Sequence, residues 1–371
     1  MSKLAYDPRH ALNAICPYFT MFPLEYPLGI LKERAREIVL DPFCGRGTSL
    51  YAAVMCGFET YGIDSSPVAV AIARAKLART SAREVLSLAK RLLADTKWPS
   101  IPRGTFWRYA YHPDTLREIC RLRSGLLGTT ESPASAFLRA IVLGALHGPR
   151  AKSIEEQNYF SNQMPRTYSS KPDYSVRYWR RHKLRPVAID VLKVIERRAQ
   201  HVLKSKMRAR SAIDHIARGN SEDFRSYSHV VRPVTLVITS PPYYGLNTYL
   251  ADQWLRNWFL GGPTHIEYDR GDQVSHRSPD QFAFSLARVW DNISTIGAEN
   301  LQMVVRFGAI QSRNVNPIEL FMSSLRKSVA SWRVVTRVKK CGAADKGRRQ
   351  ATQMAVKSSP IEENDFYIVR G

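Results

Sequence analysis

Two short stretches hold residues whose types and spacing can do chemistry. In "DPFCGRGTS" (41–49) an aspartate closes an apolar run and Gly45 and Gly47 follow. Glycine lets the backbone turn tightly and approach a ligand, and the helix that follows offers free N–H groups at its start. Asp64 ends a second short run, "TYGID", 23 residues after Asp41, where a carboxylate can accept both hydroxyls of a ribose. The chemistry implied is recognition of an adenosine-type ligand. A lone GxG turn is a weak signal and lacks the lysine of a phosphate-binding P-loop. Asp64, followed by "SSP", also suits a helix N-cap, and the two roles are compatible. The second stretch is "VTLVITSPPYYGL" (234–246), a run rich in β-branched residues that stops at Ser240. Pro241 and Pro242 cannot donate backbone hydrogen bonds, so the chain leaves the strand stiff and extended, with Tyr243 directly after. In open parallel sheets ligands gather at the carboxyl ends of strands, which makes this rigid polar and aromatic loop a site candidate. A strand-ending turn that happens to carry tyrosines is the alternative.

The elements that position these residues follow from periodicity. Residues 37 to 77 read as strand, glycine turn, helix, strand, turn, helix, a βαβα unit. From about 81 to 214 long helical stretches take over, such as "SAREVLSLAKRLLAD" and "VAIDVLKVIERRAQHVLKSK". Strand character returns at 234–239, at "NLQMVVRFG" (300–308), and in a late pair, "WRVVTRVKK" and "DFYIV", suited to an antiparallel edge. The architecture expected is α/β: one doubly wound, Rossmann-like domain, 1–80 plus 215–371, with a basic, mainly helical insertion at 81–214.

Composition narrows the partners. The 371 residues carry 55 Lys and Arg against 32 Asp and Glu, a net charge of +23. Residues 81–214 hold 26 of these cations and 11 of the anions, +15 of the +23. A polyanion is the natural partner, and a membrane surface ranks below nucleic acid because no lipidation signal is present. There is no signal peptide and no apolar run long enough to span a bilayer, so an intracellular, cytoplasmic protein is expected. The five cysteines (16, 44, 56, 120, 341) form no CxxC or Cys/His cluster, and no metal site is expected.

With these motifs in place, the chain resembles the S-adenosylmethionine-dependent amino methyltransferases of DNA. Phe43, Gly45 and Gly47 match the family's F-x-G-x-G motif. Ser240, Pro241, Pro242 and Tyr243 match its later motif, an acidic, amide or serine residue followed by Pro-Pro and an aromatic. The resemblance implies a seven-stranded class I methyltransferase sheet and S-adenosylmethionine as cofactor. Asp41, Gly45 and Gly47 would lie near the methionine part of the cofactor, Pro42, Phe43 and Thr48 would also belong to its site, Asp64 would hold the ribose, and Asn220 in "GNSEDF" would meet the adenine. Thr20, Phe22 and Pro23 would belong to a segment closing over the cofactor, with core packing the alternative. Ser240 and the Pro241 carbonyl would accept the two N–H groups of an exocyclic base amine, and Tyr243 would stack on a base flipped out of the duplex. Serine in the first position is the form typical of cytosine-N4 enzymes, where adenine-N6 enzymes carry Asp or Asn. Adenine in DNA, a base in RNA, and a catalytically silent DNA-binding protein remain as alternatives, and a cognate restriction endonuclease would be a partner if the protein belongs to a restriction-modification pair. The nucleic acid expected is double-stranded DNA in a prokaryotic nucleoid.

The insertion supplies the expected DNA contacts. "NYFSNQMPRTYSSKPDYSVRYWRRHK" mixes Arg166, Arg177, Arg180, Arg181 and Lys183 with Tyr159, Tyr168, Tyr174, Tyr178 and Trp179, and adds amides at Asn162 and Gln163. Arg and Lys bind phosphates, Arg and Gln read base edges, and aromatics wedge or stack. A solvated basic face over a helical core is the competing reading. Trp254 and Trp258, four apart on one helix, suit a core better than a site, and "GRRQ" (347–350) suits a phosphate-binding loop or a polar turn.

Overall fold

In the computed structural model the apolar runs flanking the glycine turn form β1 (Ile38–Asp41) and β2 (Glu59–Asp64). They are followed by β3 (Ile216–Arg218), β4 (Val234–Thr239), β5 (Gly297–Gly308), β6 (Trp332–Lys340) and β7 (Glu363–Arg370). The structure describes residues 8–18, 23–149, 151, 153, 156–164, 171–203, 212–245, 252–267, 278–308, 315–340 and 363–371. The strands join in the order β3-β2-β1-β4-β5-β7-β6, which is the expected seven-stranded, Rossmann-like α/β sheet. β1 pairs in parallel with both β2 and β4, β2 with β3, and β4 with β5. β7 runs antiparallel between β5 and β6, so of the late strand pair only β6 is an edge.

The chain divides into two compact units. One is Met21–Val70, Asp214–Asn247 and Gly271–Gly371; the other is Met1–Thr20, Ala71–Ile213 and Thr248–Arg270. The first holds the sheet with α2 (Glu25–Leu31), α3 (Thr48–Met55), α12 (Pro279–Ile296) and α13 (Pro317–Lys327). β4 reads as near-continuous apolar sequence because Val234, Leu236, Val237 and Ile238 are all buried. Its one polar interruption is satisfied, since Thr235 Oγ1 accepts the Ile38 N–H at 2.9 Å. One core runs from Leu40 and Val237 through Met303, Val305 and Phe307 to Phe282, Trp290 and Phe321 of α12 and α13. Trp290 Nε1 donates to Ser324 Oγ at 2.9 Å, which satisfies the indole inside that core. Gly62 in β2 marks a close approach: a Cβ there would lie 2.4 Å from Leu50 Cδ1 of α3 and 3.2 Å from Cys44 Sγ.

The second unit is helical. It contains α1 (Pro8–Asn13), α5 (Ala82–Leu93), α6 (Thr105–Ala110), α7 (Pro113–Gly128), α8 (Pro133–Ala145), α9 (Pro172–Arg181), α10 (Val191–Val202) and α11 (Trp254–Phe259), while the division falls within α4 (Pro67–Leu77). Local signals start its helices: Ser81 and Glu84 cap α5 reciprocally, and Ser132 caps α8 with Pro133 at the first position. The helical stretch expected at 81–214 is joined here by 1–20 and 71–80, expected in the sheet domain, and by 248–270, where α11 brings Trp254 and Trp258 into an aromatic core. Trp258 lies 4.5 Å from Trp107 by ring centroids and Trp254 lies 4.8 Å from Phe106. No helix among the described residues is long and apolar enough to cross a membrane.

Candidate active site

Parallel pairing brings the carboxyl ends of β1, β2 and β4 side by side, and the sequence places a polar group at each. Asp41 ends β1 and is 2% exposed. Its carboxylate is shared out: Oδ1 accepts from Thr239 Oγ1 at 2.6 Å and from the Phe43 N–H at 3.1 Å, and Oδ2 accepts from Ser49 Oγ at 2.6 Å. One carboxylate therefore ties the end of β4 to the glycine turn and to the first turn of α3. Gly45 and Gly47 adopt φ of +50° and +71°, left-handed values that cost a side-chain-bearing residue roughly 1–2 kcal/mol. Gly47 then caps α3, accepting the Tyr51 N–H at 3.0 Å. Asp64, half-buried at the end of β2, accepts from the Gly45 N–H at Oδ2 and from the Ser66 N–H at Oδ1, both at 2.8 Å.

The strip beyond β3 closes the arrangement. The Gly219 N–H donates to the Asp64 carbonyl at 3.1 Å. Asn220 Oδ1 accepts the Glu222 N–H at 3.0 Å, which leaves its amide nitrogen to donate. Ser221, buried, donates its hydroxyl to the Pro42 carbonyl. Tyr227 and Asn292 both donate to the Ser221 carbonyl at 3.0 Å. Asp41, Pro42, Phe43, Gly45, Gly47, Thr48, Asp64 and Asn220 thus fall in one neighbourhood of the sheet unit. Thr20 and Phe22 lie outside the described residues, and Pro23 is exposed.

The two acids share an electrostatic character. Burial pushes Asp41 from an ordinary 3.8 up to about 6 against its three hydrogen bonds, with a further push from Asp64. Burial likewise pushes Asp64 from 3.8 up to about 6, opposed by the Ser66 and Gly45 N–H groups. The sign follows directly. A folded-state pKa above the unfolded value means the folded chain binds more protons between about pH 4 and 6, so folding stability falls as pH rises through that window. At about 1.4 kcal/mol per unit, keeping Asp41 ionised above pH 6 costs the fold roughly 3 kcal/mol. A ligand that needs Asp64 ionised must displace its proton below pH 6. If Asp64 holds the ribose of S-adenosylmethionine, as the motif resemblance implies, binding should weaken up to about tenfold per pH unit below 6, and calorimetry at pH 6 in buffers of differing ionisation heat should show proton release. Equal heats in all buffers would remove Asp64 from the ribose position.

At the end of β4, Ser240 is half-buried, Pro241 buried, and Pro242 and Tyr243 half-buried. Tyr243, expected as a stacking face, is also anchored. Its hydroxyl donates to Glu363 Oε1 at 2.6 Å, and its ring stands edge-on to Phe307 with centroids 6.0 Å apart. Burial, followed by the neighbouring Glu363 carboxylate, holds the Tyr243 phenol well above its ordinary range. Beside them Arg306 and Asp365 form a bidentate buried pair, Nε–Oδ1 2.7 Å and Nη2–Oδ2 2.9 Å. The Arg306 guanidinium lies 3.6 Å over the Tyr26 ring. Sequence reasoning missed Glu363, Asp365, Arg306 and Tyr26. The available signal was the polar opening of β7, Glu-Asn-Asp ahead of its apolar run.

In the helical unit Arg177, Arg180, Arg181 and Lys183 are all exposed, on or just after α9. Arg166 lies outside the described residues, as do Tyr168 and the "GRRQ" loop. Two other expectations are corrected. Trp179 is fully buried, donating Nε1 to the Gln163 carbonyl at 2.8 Å, and Asn162 is 4% exposed with Nδ2 on the Tyr109 carbonyl at 3.0 Å. Neither side chain is available to a base, because Val176 and Trp179 form the buried stripe of α9 while the arginines take its other face. The structure adds Tyr109, whose ring is approached by Arg185 at 5.3 Å, Arg180 at 5.5 Å and Arg108 at 6.0 Å.

No family profile and no curated protein matches the chain. Among solved structures it is similar to two of the rRNA methyltransferase aviRa from Streptomyces viridochromogenes. One, at 2.4 Å, is 12% identical with a TM-score of 0.34, over 97% of this chain and 92% of that one. The other, at 1.5 Å, is 13% identical with a TM-score of 0.32, over 95% and 87%. A likeness this weak says nothing about reaction or substrate, and the fold stands on its own strand order. The residues present do fit the cofactor that the sequence motifs imply. Gly45 faces open space, and Thr48 Oγ1, buried at the start of α3, has no hydrogen-bond partner among the described residues.

Proposed function

We propose that this protein is an S-adenosylmethionine-dependent methyltransferase acting on the exocyclic N4 amine of cytosine in double-stranded DNA. The observation that carries the reading is the placement of Ser240 and Pro241. They follow β4 directly, and β4 is tied through Thr239 and Asp41 to the glycine turn of β1. The proposed amine acceptor and the proposed adenosine cradle would then sit on adjacent strand ends, at the point where the strand order reverses.

The cofactor would supply an electrophilic methyl group. Gly45 and Gly47 admit it close to the backbone, Asp64 accepts from its ribose, and Asn220 donates toward its adenine. An exocyclic base amine is a weak nucleophile because its lone pair is delocalised into the ring. The Ser240 oxygen and the Pro241 carbonyl accept its two N–H groups and favour the tetrahedral, lone-pair-bearing geometry. The two prolines hold those acceptors in place without an entropic loss at each turnover.

The exposed cations around α9 and Tyr109 suit a phosphate backbone, so DNA binding is expected to fall steeply with salt as counterions are released. The deciding experiment is nucleoside mass spectrometry of DNA and RNA treated with the purified protein and S-adenosylmethionine. N4-methylcytosine in DNA is the expected product. N6-methyladenine alone would overturn the choice of base, methylation confined to RNA would overturn the choice of nucleic acid, and no methylated base in either would overturn the reading.

A further inference from the structure

The half-buried ring of Tyr109, on α6, is the meeting point of three cations of the helical unit. The guanidinium carbon of Arg185 lies 5.3 Å from its centroid, that of Arg180 5.5 Å and that of Arg108 6.0 Å, and all three arginines are exposed. Like charges gathered on the scale of a Debye length, about 8 Å at physiological salt, repel one another with little screening. Among the described residues none of the three forms an ion pair with a carboxylate. The fold nevertheless holds them together. Asn162, buried, donates Nδ2 to the Tyr109 carbonyl at 3.0 Å and its own N–H to the Ala110 carbonyl at 2.6 Å, which fixes the end of α6. Trp179 packs on Phe106 with ring centroids 5.7 Å apart, which sets α9 against α6. Past α9 the chain reverses through Lys183 at φ +52°, a left-handed value that strains a side-chain-bearing residue, and the Leu184 N–H donates to the Trp179 carbonyl at 2.9 Å. That reversal returns Arg185 to the ring that Arg180 already approaches.

We propose that Arg108, Arg180 and Arg185 form a clamp for the backbone phosphate of bound DNA, with the Tyr109 ring as the seat that orients their guanidinium groups. The inference rests on the nucleic-acid part of the proposed function and is independent of methyl transfer. A guanidinium against an aromatic ring is planar and weakly hydrated, and it keeps N–H edges free for bidentate bonds to phosphate oxygens. Ordering by the ring also removes, before DNA arrives, part of the side-chain freedom that a long exposed arginine loses on binding. A phosphate entering the group replaces repulsion among three cations by attraction to each of them. Arg177 and Arg181 are exposed on the same helix but outside the three cations at this ring. They contribute through net charge and counterion release alone.

The test compares two double variants that remove the same charge, by fluorescence anisotropy on a labelled DNA duplex. The Arg108→Ala, Arg185→Ala pair should weaken binding by ~10²-fold, since a hydrogen bond to a charged group contributes about a factor of ten or more. The Arg177→Ala, Arg181→Ala pair should weaken it by less than ~10-fold. Tyr109→Ala removes no charge, yet it should weaken binding by ~10-fold, and Tyr109→Phe, which keeps the ring, should bind like wild type. S-adenosylmethionine affinity and thermal midpoint should stay unchanged in both arginine pairs. Equal losses in the two pairs would overturn the clamp in favour of a diffuse basic face, as would wild-type affinity in Tyr109→Ala. Should Tyr109→Ala prove unstable, the exposed arginine pairs still decide between clamp and diffuse charge. Losses confined to a labelled RNA hairpin, with duplex binding untouched, would overturn DNA as the ligand. Absence of binding to duplex and hairpin alike by the wild-type protein at low salt would overturn the nucleic-acid reading itself, and the clamp with it.

Discussion

Gly47→Leu and Asp64→Ala should each weaken S-adenosylmethionine binding by 10²-fold or more, measured by calorimetry on folded protein. Gly47 sits at φ +71° at the cap of α3, where leucine is strained, so the turn would have to distort to accept it. Asp64→Ala removes the expected partners of two ribose hydroxyls, and a hydrogen bond to a charged group is worth about 1.5–3 kcal/mol. It also releases the Gly45 and Ser66 N–H groups that Asp64 now holds at 2.8 Å, so the turn itself loosens. Asp64→Asn is the informative companion, because its one remaining oxygen can satisfy only one of these two N–H groups. If Gly47→Leu and Asp64→Ala both bind like wild type, the cradle has been assigned to the wrong loop.

Ser240→Ala should lower turnover by ~10²-fold while leaving cofactor affinity unchanged. The alanine removes the hydroxyl proposed to accept the base amine. Burial of Pro241 and the Asp41–Thr239 bond keep the backbone in place, so the loss is chemical rather than structural. Rapid-quench measurement of one turnover decides it. A change confined to the KM for DNA would make Ser240 a binding contact only.

What could be read from the sequence is what the chain writes locally. Asp41, Gly45 and Gly47 lie within one turn, and Ser240 to Tyr243 are consecutive, so strand, breaker and polar group appear together. Glu363 could not be read this way. It meets Tyr243 only because β7 inserts beside β5, a register set across 120 residues. The Arg306–Asp365 pair is invisible for the same reason, since two charges in two apolar strands signify nothing until the strands are neighbours. Trp179 was misplaced for a different cause. Among arginines it reads as a surface wedge, and only the spacing from Val176, one helical turn away, shows that the two share the buried stripe.

The position of β7 also bears on how the polypeptide is made. Translation delivers β6 before β7, yet β6 has no partner in the sheet until β7 has paired with β5. A nascent chain that has emerged as far as β6 therefore exposes the open edge of β5 and carries an unpaired strand, the condition most prone to misassociation. Ribosome pausing between residues 340 and 363 would prolong that exposure, and a chaperone that masks strand edges would act in that interval.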